Sequence, residues 1–205
     1  MTIRLHRGDL PDLSNYDVAA VAIDTETLGL NPHRDRLCVV QLSPGDGTAD
    51  VVQIAAGQKK APNLTALLRN RKITKLFHFA RFDLAALSNA FGVMPDPVFC
   101  TKIASRLTRT YTDRHGLKDL CAELIGVNLS KQQQSSDWAA EILSPEQLEY
   151  AASDVLYLHR LYDVLAGRLR RDGREAEAAA CFKFLPSRAR LDLMGWAEED
   201  IFAHS

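Results

Sequence analysis

Six apolar residues in a row, Val18-Ala19-Ala20-Val21-Ala22-Ile23, run directly into Asp24-Thr25-Glu26. Such a run predicts a buried strand. Side chains alternate across a strand, so Asp24 and Glu26 leave it on the same face, side by side. Tyr150 and Asp154 lie four apart in a strongly helical stretch and share one face of that helix. Carboxylates gathered in one place repel and take up protons unless positive charge lies between them. Their usual partners are divalent cations, and the chemistry that usually follows is phosphodiester cleavage.

The rest of the chain sets bounds on that reading. Its 205 residues suffice for one domain with a substantial core. No apolar run approaches the ~20 residues of a membrane span, and Met1 to Arg7 lacks the hydrophobic stretch of a signal peptide. Cys38, Cys100, Cys121 and Cys181 are scattered without metal or redox spacing and read as reduced thiols, mostly in the core. A cytoplasmic protein with no membrane association is expected. The net charge of −1 carries no basic excess for gripping a long polyanion, which favours a small nucleic-acid ligand.

The order of elements predicts an α/β fold with a mixed sheet of five strands and flanking helices. Strands are expected at 18–26, 37–42, 50–54, 75–79 and 98–100, the first three joined by tight turns as an antiparallel meander. Helices are expected at 63–70 with Asn63 as its cap, at 81–91, 101–109 and 116–126. Ser144-Pro145-Glu146-Gln147 is a strong helix start, and apolar spacing from Ala151 to Leu169 extends that helix to Gly173. Further helical pieces at 174–184 and 187–196, broken near Pro186, complete a helical C-terminal half. Residues 130–137 are the expected mobile loop. The whole of 1–205 reads as a single domain, with about 174–205 as a helical extension.

Asp83, in His78-Phe79-Ala80-Arg81-Phe82-Asp83, falls in the first turn of a helix after a strand, another carboxylate at a strand end. Asp24-x-Glu26, Asp83 and Tyr150-x-x-x-Asp154, in this order, resemble the three motifs of the DEDD 3′–5′ exonucleases of the tyrosine subclass. The flanks of the third motif, from Asp137-Trp138 through Leu148-Glu149-Tyr150 to Leu158, are similar to ribonuclease D, as is Leu117 to Val127. The chain ends before ribonuclease D's helical RNA-binding domains would fit, so it more closely resembles the short nano-RNase C type.

That resemblance implies a ribonuclease H-like fold and a 3′–5′ exoribonuclease acting on very short single-stranded RNA, down to dinucleotides, with nucleoside 5′-monophosphates as products. It implies two Mg2+ or Mn2+ ions held by Asp24, Glu26, Asp83 and Asp154, with Tyr150 positioning the attacking water. It also implies a homo-oligomer, with octameric rings known in that type, and the apolar residues from Leu191 to Phe202 offer an interface. Leu30 matches a leucine that related oligoribonucleases wedge between the last two bases. Thr25, His78 and Phe79 are candidate substrate contacts. Lys102, Arg106 and Arg109 share a helical spacing with Arg114, His115 and Lys118 just beyond, and Lys102, Arg114 and Lys118 are the candidates for a 5′ phosphate. Two other readings stay open: a broader ribonuclease D-like nuclease that trims longer RNA or DNA, and an inactive nucleic-acid-binding module.

Overall fold

The computed structural model describes residues 2–130, 132, 133 and 135–204. One mixed sheet of six strands organises them: β1 (Thr2–Arg7), β2 (Ala20–Thr27), β3 (Leu37–Ser43), β4 (Thr48–Gln53), β5 (Thr74–Phe77) and β6 (Val98–Cys100), in the order β1-β4-β3-β2-β5-β6. β2, β3 and β4 form the expected antiparallel meander, while β5 joins β2, β6 joins β5 and β1 joins β4 in parallel. All seven residues of β3 are buried, as a strand covered on both faces requires.

The sixth strand corrects the expected count of five. β1 is an edge strand whose residues are all exposed or half-buried, and its Arg4, His6 and Arg7 hide the apolar signal by which a strand is recognised. A buried acid holds it. Asp50 on β4 accepts hydrogen bonds from Arg4 Nε and Nη2 at 2.7 and 2.8 Å and from the Tyr16 hydroxyl at 2.6 Å. His6 Nε2 lies 2.7 Å from the same carboxylate.

Helices cover both faces: α1 (Pro62–Arg69), α2 (Ala80–Phe91), α3 (Thr101–Thr108), α4 (Leu117–Ile125), α5 (Pro145–Leu156), α6 (Leu158–Arg171) and α7 (Glu175–Leu191). Alternate residues of β2 sort into separate cores. Val21 and Ile23 pack with Leu64, Leu84 and Leu87 of α1 and α2, whereas Ala22 packs with Leu120, Val155 and Leu161 of α4 to α6. By the same alternation Asp24 and Glu26 look toward α5, and Thr25 looks toward α2.

Three expected details differ. The α1 cap is not Asn63: Asp9 reaches across to accept from the backbone N–H groups of Asn63 and Leu64, each at 2.8 Å. The single helix expected from 145 to 173 bends at Tyr157 into α5 and α6. Neither proline nor glycine sits there, so packing sets the bend, α5 lying against β3 and β4 and α6 against α3 and α4. Conversely, α7 runs unbroken through Pro186, because Leu185 and Ala189 anchor both sides of the lost hydrogen bond in the core. The capping box of Ser144 and Gln147 forms as expected. Cys38, Cys100 and Cys121 are buried free thiols, and Cys181 is exposed. Of the loop expected at 130–137, Lys131 and Gln134 lie outside the described residues. Among the described residues, no helix is long and apolar enough to cross a membrane.

Replacing Asp50 with alanine strands one buried hydroxyl and a cation at the β1 edge. Urea unfolding of Asp50→Ala should show a loss of about 3 kcal/mol, with divalent-cation binding unchanged because Asp50 stands two strands from Asp24 and on the opposite face of the sheet.

Candidate active site

The acids of the first and third motifs meet at one end of β2. Asp24, Glu26 and Asp154 each present an oxygen, and all three atoms lie within 4.8 Å of one another. Asp154 comes from α5, one turn after Tyr150, whose phenol faces it. Asp83 stands on the other side of the strand. It is buried in the first turn of α2 and accepts a hydrogen bond from Thr25 Oγ1 at 2.7 Å. Thr25 thus binds the helix carrying the fourth acid to the strand carrying the first two.

This placement is electrostatically expensive. Desolvation, then repulsion by Asp83, Asp154 and Glu26, holds the Asp24 pKa well above the usual carboxylate range. Burial and the neighbouring acids push Glu26 up to about 9. Burial pushes Asp83 up to about 8, opposed by the Thr25 hydroxyl, and Asp154 up to about 7, opposed by Tyr150. Tyr150 itself moves upward, from burial first and then from the charge of Asp154, so its phenol stays protonated and donates to that carboxylate. A cluster of hard carboxylate oxygens, crowded closely enough to repel one another, fits Mg2+ or Mn2+.

An open cleft of about 670 Å3 lies over these residues. One wall is the loop after β2, where the Asp35 carboxylate packs so close to Gly29 that an added Cβ would meet it at 2.4 Å. The Asn31 backbone N–H donates to Asp35 at 3.0 Å, and the loop so formed carries Leu30 outward, 83% exposed. Leu30 is therefore no core residue. Opposite stands Phe79, the residue before α2, held in the left-handed region at φ 67° and 45% exposed. A bulky side chain at positive φ is strained, and such strain gathers at functional sites. Lys102 Nζ sits 4.3 Å from the centre of the Phe79 ring. His78 lines the cleft half-buried with Nδ1 2.9 Å from Thr101 Oγ1, and burial with nearby Lys102 brings its pKa down to about 3, leaving it neutral.

The basic residues divide. Lys102 and Lys118 line the cleft. Arg114 does not: its guanidinium pairs with Asp119 at 2.7 Å, outside the cleft walls. Arg109 is fully buried, because α3 ends at Thr108 and the chain turns inward to pair it with Glu123 and bond Arg114 O at 2.6 Å. The helical face expected for Lys102, Arg106 and Arg109 therefore breaks at its last member. Several contributors escaped the sequence reading. Leu28, Leu129, Ser130, Ser136 and Trp138 complete the walls, and Gln41 Nε2 donates to Asp24 at 2.9 Å beneath them. Gln41 stands directly opposite Asp24 in the β2–β3 register, a pairing that only the strand alignment reveals.

A profile of the 3′–5′ exonuclease family matches residues 10–170, and the chain belongs to that family. Within it, the chain is similar over its whole length to Brucella melitensis NrnC. The NrnC structure with bound Mg2+ is 76% identical with a TM-score of 0.97, covering 100% of both chains. The structure of NrnC bound to pGG is 77% identical with a TM-score of 0.98, again covering 100% of both. Ribonuclease D of Gluconacetobacter diazotrophicus is 38% identical over 154 residues, which are 75% of this chain and 39% of that protein. The chain thus spans about two-fifths of the length of that relative.

The raised carboxyl pKa values give a signed expectation for stability. With folded values of about 7, 8 and 9 against about 4 when unfolded, the folded metal-free protein binds the extra protons. Their stabilising contribution is complete below about pH 4 and is lost as pH rises through the folded values. In EDTA the unfolding temperature should fall as pH rises from about 5.5 to about 9, and saturating Mg2+ should reverse most of the fall. A flat or rising profile in EDTA would contradict the crowding of acids described above.

Proposed function

We propose that the chain is a metal-dependent 3′–5′ exoribonuclease that hydrolyses very short RNA, dinucleotides included, to nucleoside 5′-monophosphates. The observation that carries the reading is the meeting of Asp24, Glu26 and Asp154 within 4.8 Å on the floor of a cleft with exposed apolar groups on its walls. Asp24, Glu26, Asp83 and Asp154 would hold two ions, Mg2+ or Mn2+. Bound there, such ions supply a nucleophilic water at neutral pH and neutralise the charge that grows on the phosphate and leaving oxygen. Tyr150, protonated, steadies Asp154 by donating to it and would orient the attacking water by accepting from it through the phenol oxygen. Leu30 and Phe79 offer apolar and aromatic surface to the last bases, and Thr25 holds Asp83 in place. His78 contributes a neutral polar edge beside the substrate.

The length preference rests on three supports. A cleft of about 670 Å3 suits a small ligand better than a long track, since pockets for compact ligands run to ~300–1,000 Å3. Only Lys102 and Lys118 of the proposed phosphate contacts reach it, a modest charge for a polyanion. The similar protein NrnC binds pGG. We assign the 5′ phosphate to Lys102 and Lys118, and Arg114 to a supporting role at most. Residues from Met194 to Phe202 leave apolar side chains exposed, which supports a homo-oligomer, an octamer being the form we favour. Burial of Leu185 and Ala189 in the main core supports counting about 174–205 as a helical extension of one domain spanning 1–205. We place the protein in the cytoplasm.

The test is cleavage of end-labelled RNA of graded length, with and without Mg2+. Strong preference for dinucleotides is expected, and loss of at least about 100-fold in Asp154→Asn. Indifference to length would favour the broader ribonuclease D-like nuclease, and absence of any metal-dependent cleavage would leave the binding module. Leu30→Ala should lower kcat/KM for dinucleotides on the order of tenfold, mainly through a higher KM. Lys102→Ala and Lys118→Ala should each weaken RNA binding and flatten its salt dependence by about 0.7 in log–log slope, whereas Arg114→Ala should leave that slope unchanged.

A further inference from the structure

Gln41 has no ordinary reason to be where it is. It sits in the middle of β3, fully buried, between apolar neighbours Val40 and Leu42. Register places it directly opposite Asp24 on β2, with Glu26 the diagonal neighbour on the same face. Its Nε2 donates to Asp24 Oδ2 at 2.9 Å, and the amide lies close enough to Glu26 to favour that carboxylate's ionised form. Its other end is unsatisfied: Oε1 is buried with no hydrogen-bond partner among the described residues.

An unpaired buried carbonyl is costly, and a leucine here would fold without that cost. With cations bound these carboxylates are ionised and only accept, so the amide turns Nε2 toward them and Oε1 away. The orphaned oxygen follows from that choice. A carboxylate that bonds a cation through one oxygen still needs its rotation fixed, and a neutral donor behind it does this without competing for the cation.

We infer that Gln41 is a positioning residue for the metal-holding pair Asp24 and Glu26, its amide fixing the orientation in which their free oxygens face the cleft. It touches neither substrate nor cation. The inference rests on the reading of these acids as cation ligands, and it names the group that pre-arranges them.

Mn2+ affinity of the full chain, measured by calorimetry without RNA, separates this role from a merely structural one. Gln41→Met keeps the length and removes the donor. It should bind Mn2+ about 10- to 100-fold more weakly while its unfolding temperature in EDTA stays equal to or above that of the unsubstituted protein. Gln41→Asn, which keeps an amide but withdraws it, should lose affinity in the same direction. Should Gln41→Met fail to fold, the unsubstituted protein labelled with 15N-glutamine still reads the contact: the Gln41 side-chain amide signals should shift on saturation with Mg2+. Affinity within about twofold of the unsubstituted protein in a folded variant, or amide signals indifferent to Mg2+, overturns the inference. Failure of the unsubstituted protein to bind Mn2+ at all would instead overturn the metal reading itself, so the two failures are distinguishable.

Discussion

Repulsion among four acids is the constraint around which this molecule is arranged. Asp24, Glu26, Asp83 and Asp154 are held together against their own charge, and each prefers its proton more than a free carboxyl does. Local hydrogen bonds from Gln41, Thr25 and Tyr150 offset only part of that repulsion. The remaining force comes from elsewhere, from β3 buried along its whole length and from helices packed on both faces of the sheet. The hydrophobic core therefore supplies the free energy that keeps the site assembled until cations take over the charge. A site held in this way is preorganised, because the strand, the two helices and the hydrogen bonds from Gln41 and Thr25 fix where the acids stand.

Alternation along β2 solves the geometric side of the same problem. Three acids on one face would crowd further if the fourth joined them there. Thr25 points the other way and takes hold of Asp83 on α2, so the fourth carboxylate is brought near from behind the strand. Separation across the strand keeps Asp83 outside the trio whose oxygens lie within 4.8 Å. One tripeptide thus addresses two helices, α5 through its acids and α2 through its hydroxyl.

What the sequence could tell follows from the range of each signal. The motif acids were legible because their order along the chain and their place at element ends are local properties. The meander of β2 to β4 was equally legible from short turns between apolar runs. β1 was hidden because an edge strand with Arg4, His6 and Arg7 carries little apolar periodicity, its stability coming from Asp50 some 46 residues away. Gln41 was hidden for a related reason: its partner lies across the strand register, and one residue of slip would put it on the other face. The bend at Tyr157 and the continuity at Pro186 were both decided by packing that overrides propensity.

Arg109 shows how charge can mislead. By spacing it continues the face of Lys102 and Arg106, but α3 stops one residue short and the guanidinium turns into the protein. There it bonds Ser105 Oγ at 3.0 Å and Arg114 O at 2.6 Å and pairs with Glu123, tying together α3, α4 and the segment between them. That segment leads directly into Gly116, Leu117 and Lys118, which form part of the cleft wall. Arg109 is thus absent from the cleft but shapes it. Counting basic residues near a site overstates the positive charge a substrate meets, since some of that charge is already used in holding the wall. The small remainder here, Lys102 and Lys118, agrees with the net charge of −1 in favouring a short anion over a long one.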